Sequence, residues 1–104
     1  MVYTSLANAR MAQIQTYGAQ RTTDRDEIEA WVEERGGMPA IIESTWDGNT
    51  AVLRIDFGEQ DDRIMYISWD LFFDIFEDGD LEFLHQNYLS DGSMSRFYRF
   101  VERD

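Results

Sequence analysis

Apolar residues recur at helical spacing in two stretches of this chain and alternate at strand spacing elsewhere. Ile28, Trp31 and Val32 form one narrow stripe at about 100° per residue, with Asp26, Glu29 and Glu33 on the opposite face. The spacing predicts a helix from about Asp24 to Arg35. Thr23 followed three residues later by Asp26 reads as a capping box, and Asp24, Asp26 and Glu27 suit the positive end of the helix dipole. Gly36-Gly37 stops the helix, since glycine takes the left-handed cap without a Cβ clash.

Strand signals follow. Pro39–Trp46 reads as a strand, Asp47-Gly48-Asn49 as a turn, and Thr50–Phe57 as the returning strand. In the second of these, Ala51, Leu53, Ile55 and Phe57 alternate with Val52, Arg54 and Asp56, so the first set is expected in the core and the second in water. A polar turn, Gly58–Asp62, leads to a short strand over Arg63–Ile67. Ser68 is a good N-cap for a second helix from Trp69 to about Asp78, ended by Gly79. Two more strands, Leu81–Tyr88 and Ser95–Val101, are joined by a loop containing Asp91-Gly92.

The resulting order is α-β-β-β-α-β-β. Hairpins interleaved with helices predict an α+β domain, an antiparallel sheet with helices packed on one face, over residues 23–104. Residues 1–22 carry Arg10 and Arg21 but no acid, and read as an N-terminal arm with a loose helical pattern over Ser5–Gln15.

The second helix differs from the first in the width of its apolar face. Leu71, Ile75, Phe72, Phe76, Trp69 and Phe73 sweep about 200° of arc, with Asp70, Asp74, Glu77 and Asp78 opposite. Such a helix either sinks between a sheet and another element or leaves part of its arc exposed. In the second case Trp69, Phe72, Phe73 and Phe76 would make an apolar interface for a homodimer or another partner. Full burial of Phe72, Phe73 and Phe76 within the chain would exclude that.

Charge changes the picture next. The 104 residues hold 21 acids and 9 basic residues, all arginine, for a net charge of −12. With no lysine available, the carboxylates of the first helix are expected to be largely unpaired. Ten acids against Arg63 alone fall between residues 56 and 82, while residues 83–104 balance. A single-sign field repels nucleic acid and anionic membranes and attracts basic surfaces. The acidic face expected to act is Asp61, Asp62, Asp70, Asp74, Glu77, Asp78, Asp80 and Glu82. Its alternative use is as a solvated, solubilising surface. Hydrophobic content of 43% argues against a disordered acidic tail, and the absence of cysteine removes disulfides and thiolate chemistry. No apolar run approaches the ~20 residues of a membrane span and no signal peptide is visible, so a cytoplasmic protein is expected.

The stretches RTTDRDEIEAWVEERGGMPA, LRIDF, ISWDLFFDIFEDGDLEFLHQ and DGSMSRFYRFVER resemble a family of small acidic bacterial proteins, frequent in alphaproteobacteria. That family shares the pattern RGG-x-P-A, LRIDF, ISW-D-x-FF-x-x-F, L-x-FL-x-Q and SRF-x-x-V. The likeness spans about residues 21–103, and the missing lysines depart from it. It implies a single domain and transfers no catalytic residue. Many members carry the label 1,4-alpha-glucan branching enzyme, which this chain does not fit. Glucan chemistry of that kind needs two placed carboxylates and a long sugar cleft, and the barrels that perform it take about 200 residues or more.

Other chemistry is thin. Asp78-Gly79-Asp80-x-Glu82 alternates oxygen ligands but fits no EF-hand register, and no metal or other cofactor is expected. His85 is the sole imidazole and no nucleophile motif accompanies it, so no catalytic residue is assigned. Asp56-Phe57-Gly58 spells the kinase tripeptide without the other kinase signatures. Arg96 and Arg99 among Phe97, Tyr98 and Phe100 suggest a stacking platform for single strands, which the net charge opposes. The expected function is therefore a non-enzymatic acidic interaction domain for a basic protein surface, with no direct contact to nucleic acid or membrane. The alternatives are a nucleic-acid mimic that inhibits a DNA- or RNA-binding protein, as phage anti-defence proteins do, and a small hydrolytic or metal-dependent enzyme.

Overall fold

Local signals for the two helices correspond to real elements in the computed structural model, which describes residues 18–104. The helical pattern over Ser5–Gln15 lies outside the described residues. In chain order the elements are β1 (Ala19–Thr22), α1 (Arg25–Glu34), β2 (Met38–Ile42), a 3-10 turn (Glu43–Thr45), β3 (Leu53–Asp56), β4 (Ile64–Tyr66), α2 (Trp69–Asp78), β5 (Leu81–Gln86) and β6 (Tyr98–Glu102). The class is α+β with antiparallel pairing, as the sequence predicts. The strands divide into two three-stranded sheets, β1-β5-β6 and β3-β2-β4, rather than one. Strand β1 comes from residues read above as the end of an arm. It runs antiparallel to β5, with Gln20 opposite His85 and Thr22 opposite Phe83.

Several boundaries differ for identifiable reasons. The cap of α1 is Asp24, whose carboxylate accepts from the Glu27 N–H at 3.0 Å. The Thr23–Asp26 box does not form; Thr22 instead accepts from the Asp24 N–H and donates to Glu27. Strand β2 stops at Ile42 because Thr45 turns back, donating to the Ile42 carbonyl at 2.6 Å and accepting from the Val52 N–H at 2.9 Å. The two glycines after α1 do different jobs. Gly36 supplies the left-handed residue at φ 74°, whereas a Cβ on Gly37 would sit 2.9 Å from Val32, Ile55 and Phe57 side chains. Ser68 caps α2 as expected, accepting from the Leu71 N–H.

Pro39 lies in the central strand of its sheet, where a missing N–H is costly. On one side it stands opposite Ile55. On the other, its carbonyl accepts from Ile67, and the N–H that would answer does not exist. There β4 ends and the chain turns into α2. The amide and carbonyl of Ile55, pointing away from β2, both bond the Tyr98 hydroxyl, at 3.1 and 3.2 Å. One side-chain hydroxyl thus joins β3 of one sheet to β6 of the other.

The core sits between the helices and both sheets. Ile28, Trp31 and Val32 of α1 meet Ile41, Leu53 and Ile55 of one sheet and Phe83 of the other. Helix α2 packs on β5 as well as on β2 and β3, so it wedges between the sheets. That position uses the whole aromatic arc. Phe72 and Phe76 are fully buried and Phe73 is 7% exposed, with Phe100 of β6 ringed by Phe72, Phe76 and Phe83. The expected apolar interface on Trp69, Phe72, Phe73 and Phe76 is therefore corrected: the three phenylalanines are core, and Trp69 is half-buried against Phe72 and Phe73.

Candidate functional site

Strands β3 and β4 both run antiparallel to β2, and are therefore parallel to each other. Residues 57–63 must carry the chain back along the sheet to join them. Between this returning segment and the sheet lies an open cleft of about 420 Å³, lined by Asp56, Glu59, Gln60, Asp61, Asp62, Ile64 and Tyr66. Register places the side chains of Met38, Ala40 and Ile42 on the sheet face away from the core. Asp56 and Arg54 stand beside Met38 and Ala40 on β3, and Tyr66 and Ile64 beside Ala40 and Ile42 on β4. Tyr66 reaches over β2 and donates its hydroxyl to Asp56 at 2.5 Å. Tyr66 is the register partner of Ala40, which is fully buried although it faces outward. The bond to Asp56 raises the Tyr66 hydroxyl above its ordinary pKa, because ionisation would set two anions together.

Asp56 thereby departs from the water-facing position its alternation predicts: it is 4% exposed. Asp61 grips Arg63 through two bonds, 3.0 and 2.7 Å, and this contact holds its carboxyl at about 2. Glu59 accepts from the Phe57 N–H and Asp62 stays exposed, leaving both without a cationic partner among the described residues. The cleft is thus an acidic wall with one tyrosine face, partly neutralised by Arg63 and Arg54.

The carboxylates expected to form one acidic face are sorted differently in space. Asp70 bonds Arg25 at 2.9 Å, Glu77 bonds Arg103 at 2.7 Å, Asp80 lies 3.9 Å from the same arginine, and Glu82 meets Arg21 at 3.3 Å. The acids of α2 and its flank are therefore largely matched by arginines brought from α1, β1 and the C-terminus. Glu29, expected to lack a partner, also takes Arg25, at 2.6 Å. Asp74 and Asp78 on α2 and Asp62 beside the cleft have no ion pair among the described residues.

His85 is buried, stacked on Phe83 and edge-on to Trp31, and its Nδ1 has no hydrogen-bond partner. Burial pushes its pKa down. Arg35 and Ser95 are buried polar groups in the same region. The Arg35 guanidinium lies 4.3 Å over the Trp31 ring and donates to the carbonyls of Trp31, Asn87 and Ser95. It ties the end of α1 to the loop between β5 and β6. Arg96 serves the same junction, donating to the Arg35 carbonyl at 3.1 Å over the face of Phe57. Both arginines of the aromatic-arginine run stay exposed, Arg99 lying 5.9 Å over Phe97.

Among the described residues no group of three or more acidic, histidine or cysteine side chains is placed to hold a metal ion, and no helix is long and apolar enough to cross a membrane. Sequence reasoning counted Asp56 and Glu59 among the acids but missed Tyr66 and the cleft itself. Their only local signal is a small residue, Ala40, in a strand between larger neighbours. Compared with known proteins, the chain matches no family model, no curated protein and no solved structure.

Proposed function

We propose that this protein is a non-enzymatic acidic interaction domain that engages a basic surface of another protein. The pairing pattern of its carboxylates carries this reading. Glu59 and Asp62 at the cleft and Asp74 and Asp78 on α2 are among the carboxylates that make no ion pair with any described residue. An incoming arginine or lysine gains from each, and the chain's net −12 charge speeds its approach. The same pairing weighs against nucleic-acid mimicry. A mimic presents a row of bare charges in place of phosphates, whereas Asp70, Glu77, Asp80 and Glu82 already contact arginines. The partner class that fits best is a cytoplasmic nucleic-acid-binding protein, whose own surface is basic by requirement.

The test replaces Asp62, Asp74 and Asp78 together by Asn and follows association with a basic partner recovered from host lysate, at low and high salt. Slower association with a flatter salt dependence is expected. Equal rates and an equal salt slope in the variant refute the reading.

A further inference from the structure

Three of the six most exposed large apolar residues among those described fall within residues 88–94, at the tip of the β5–β6 connection: Tyr88 at 59%, Leu89 at 47% and Met94 at 46%. The backbone there prolongs the hairpin beyond β5. The Leu89 N–H donates to the Ser93 carbonyl at 2.8 Å and the Ser95 N–H to the Asn87 carbonyl at 3.0 Å, bracketing a bridge between Tyr88 and Met94. This pattern makes Tyr88 and Met94 a non-hydrogen-bonded antiparallel pair, whose side chains lie close together on one face. It also turns the N–H and C=O of Tyr88 away from Met94, to the side of β5 on which β1 lies. No described residue bonds either group. An open strand edge flanked by apolar side chains is a template for one more extended segment.

We propose that this hairpin tip is the docking site of the chain's own residues 1–17, which bond the free edge of Tyr88 and lay apolar side chains over Tyr88 and Met94. The point at which the chain enters the described structure selects this occupant. Ala19 stands opposite Gln86, two residues from Tyr88, and β1 runs antiparallel to β5. Stepping back along the chain from Ala19 therefore leads toward the tip. Residues 1–17 hold Val2, Leu6, Met11 and Ile14, with Arg10 and no acid; the first acid of the chain is Asp24. No later stretch of that length is free of acids, so in a chain of net −12 this segment approaches the domain with the least repulsion. Tethering also sets its concentration at the tip on the order of millimolar, which a separate molecule does not reach. The site uses none of the carboxylates invoked above, so it goes beyond the acidic-domain reading and stands or falls apart from it.

Amide hydrogen exchange of the full chain, read by NMR, tests the contact at its backbone. A docked segment should slow exchange of the Tyr88 N–H at least about tenfold relative to an unstructured amide. The full-length variant Met11→Ser/Ile14→Ser should bring that amide back to within about twofold of the unstructured rate, while the core amides of Ile41 and Phe72 keep theirs and show that the fold persists. A Tyr88 amide that exchanges freely in the parent overturns the proposal, and so does protection that the double variant leaves unchanged. Mixing identifies whose segment is bound. The chain has no cysteine, so Ser5→Cys carries a single nitroxide. Labelled chains are mixed with unlabelled, nitrogen-15-enriched parent. Line broadening over residues 88–94 of the enriched chain would assign the segment to a second copy and overturn docking within one chain; sharp lines there, with broadening when label and enrichment share a chain, support it.

Discussion

Tyr98→Phe removes one oxygen atom and tests how the two sheets are joined. The ring would keep its contacts, stacked on Phe83, tilted against Phe57 and edge-on to Phe100, so almost no apolar area is lost. What goes is the pair of bonds from the hydroxyl to the amide and carbonyl of Ile55, a residue 4% exposed. A typical intramolecular hydrogen bond contributes about 1 kcal/mol net, and a buried group left without a partner costs about 1–3 kcal/mol. Tyr98 is itself only half-buried, so water can reach part of the gap. The expected loss is about 2–3 kcal/mol, or roughly 10–20 °C in Tm at about 4–8 °C per kcal/mol for a domain of this size. Urea unfolding followed by tryptophan fluorescence measures the loss. Amide exchange at Ile55 locates it, and protection there should fall more than in α2. Tyr88→Phe, at a residue 59% exposed, is the control and should change little. A Tyr98→Phe protein within about 0.5 kcal/mol of the parent, with Ile55 still protected, would refute the idea that this hydroxyl holds the sheets together.

The two glycines after α1 should separate by mechanism. Gly37→Ala crowds Val32, Ile55 and Phe57 and should cost about 1–3 kcal/mol. Stability that is unchanged in urea unfolding of Gly37→Ala would contradict the packing. His85 predicts a pH dependence. Its folded pKa lies below the ordinary histidine value because burial disfavours the cation, and Arg35 nearby acts in the same direction. The unfolded chain therefore binds the proton first. The stability this group contributes is complete above the unfolded value and is lost as pH falls through it toward the folded one. The urea midpoint should drop between neutral and mildly acidic pH, and His85→Gln should flatten that drop; an equal slope in the variant would show that another group is responsible.

The cleft shows how a site escapes sequence reading. The acids at 56–62 are visible in the string, but acidity alone does not distinguish a solubilising loop from a wall. That distinction depends on the returning segment being carried over the outer sheet face, which follows from β3 and β4 flanking β2 in parallel. The acids of α2 show the converse. They look unmatched in sequence because their arginines lie far along the chain: Arg25 is 45 residues from Asp70, and Arg103 is 26 from Glu77.

Local chemistry sufficed where the determinant is local. Ser68 as a cap, the helices over 25–34 and 69–78, the turn at Asp47 and the placement of Ile28, Trp31 and Val32 in the core need only periodicity and neighbouring side chains. Tertiary structure decided whatever depends on partners distant in sequence. It drew Ala19–Thr22 onto β5, split the strands into two sheets, set α2 between them so that its aromatic arc is core, and laid Tyr66 across β2 to Asp56. The physical reason is the same in each case. A hydrogen-bonding edge or an apolar face advertises that it needs covering, but which segment covers it is settled by competition among all the surfaces of the folded chain.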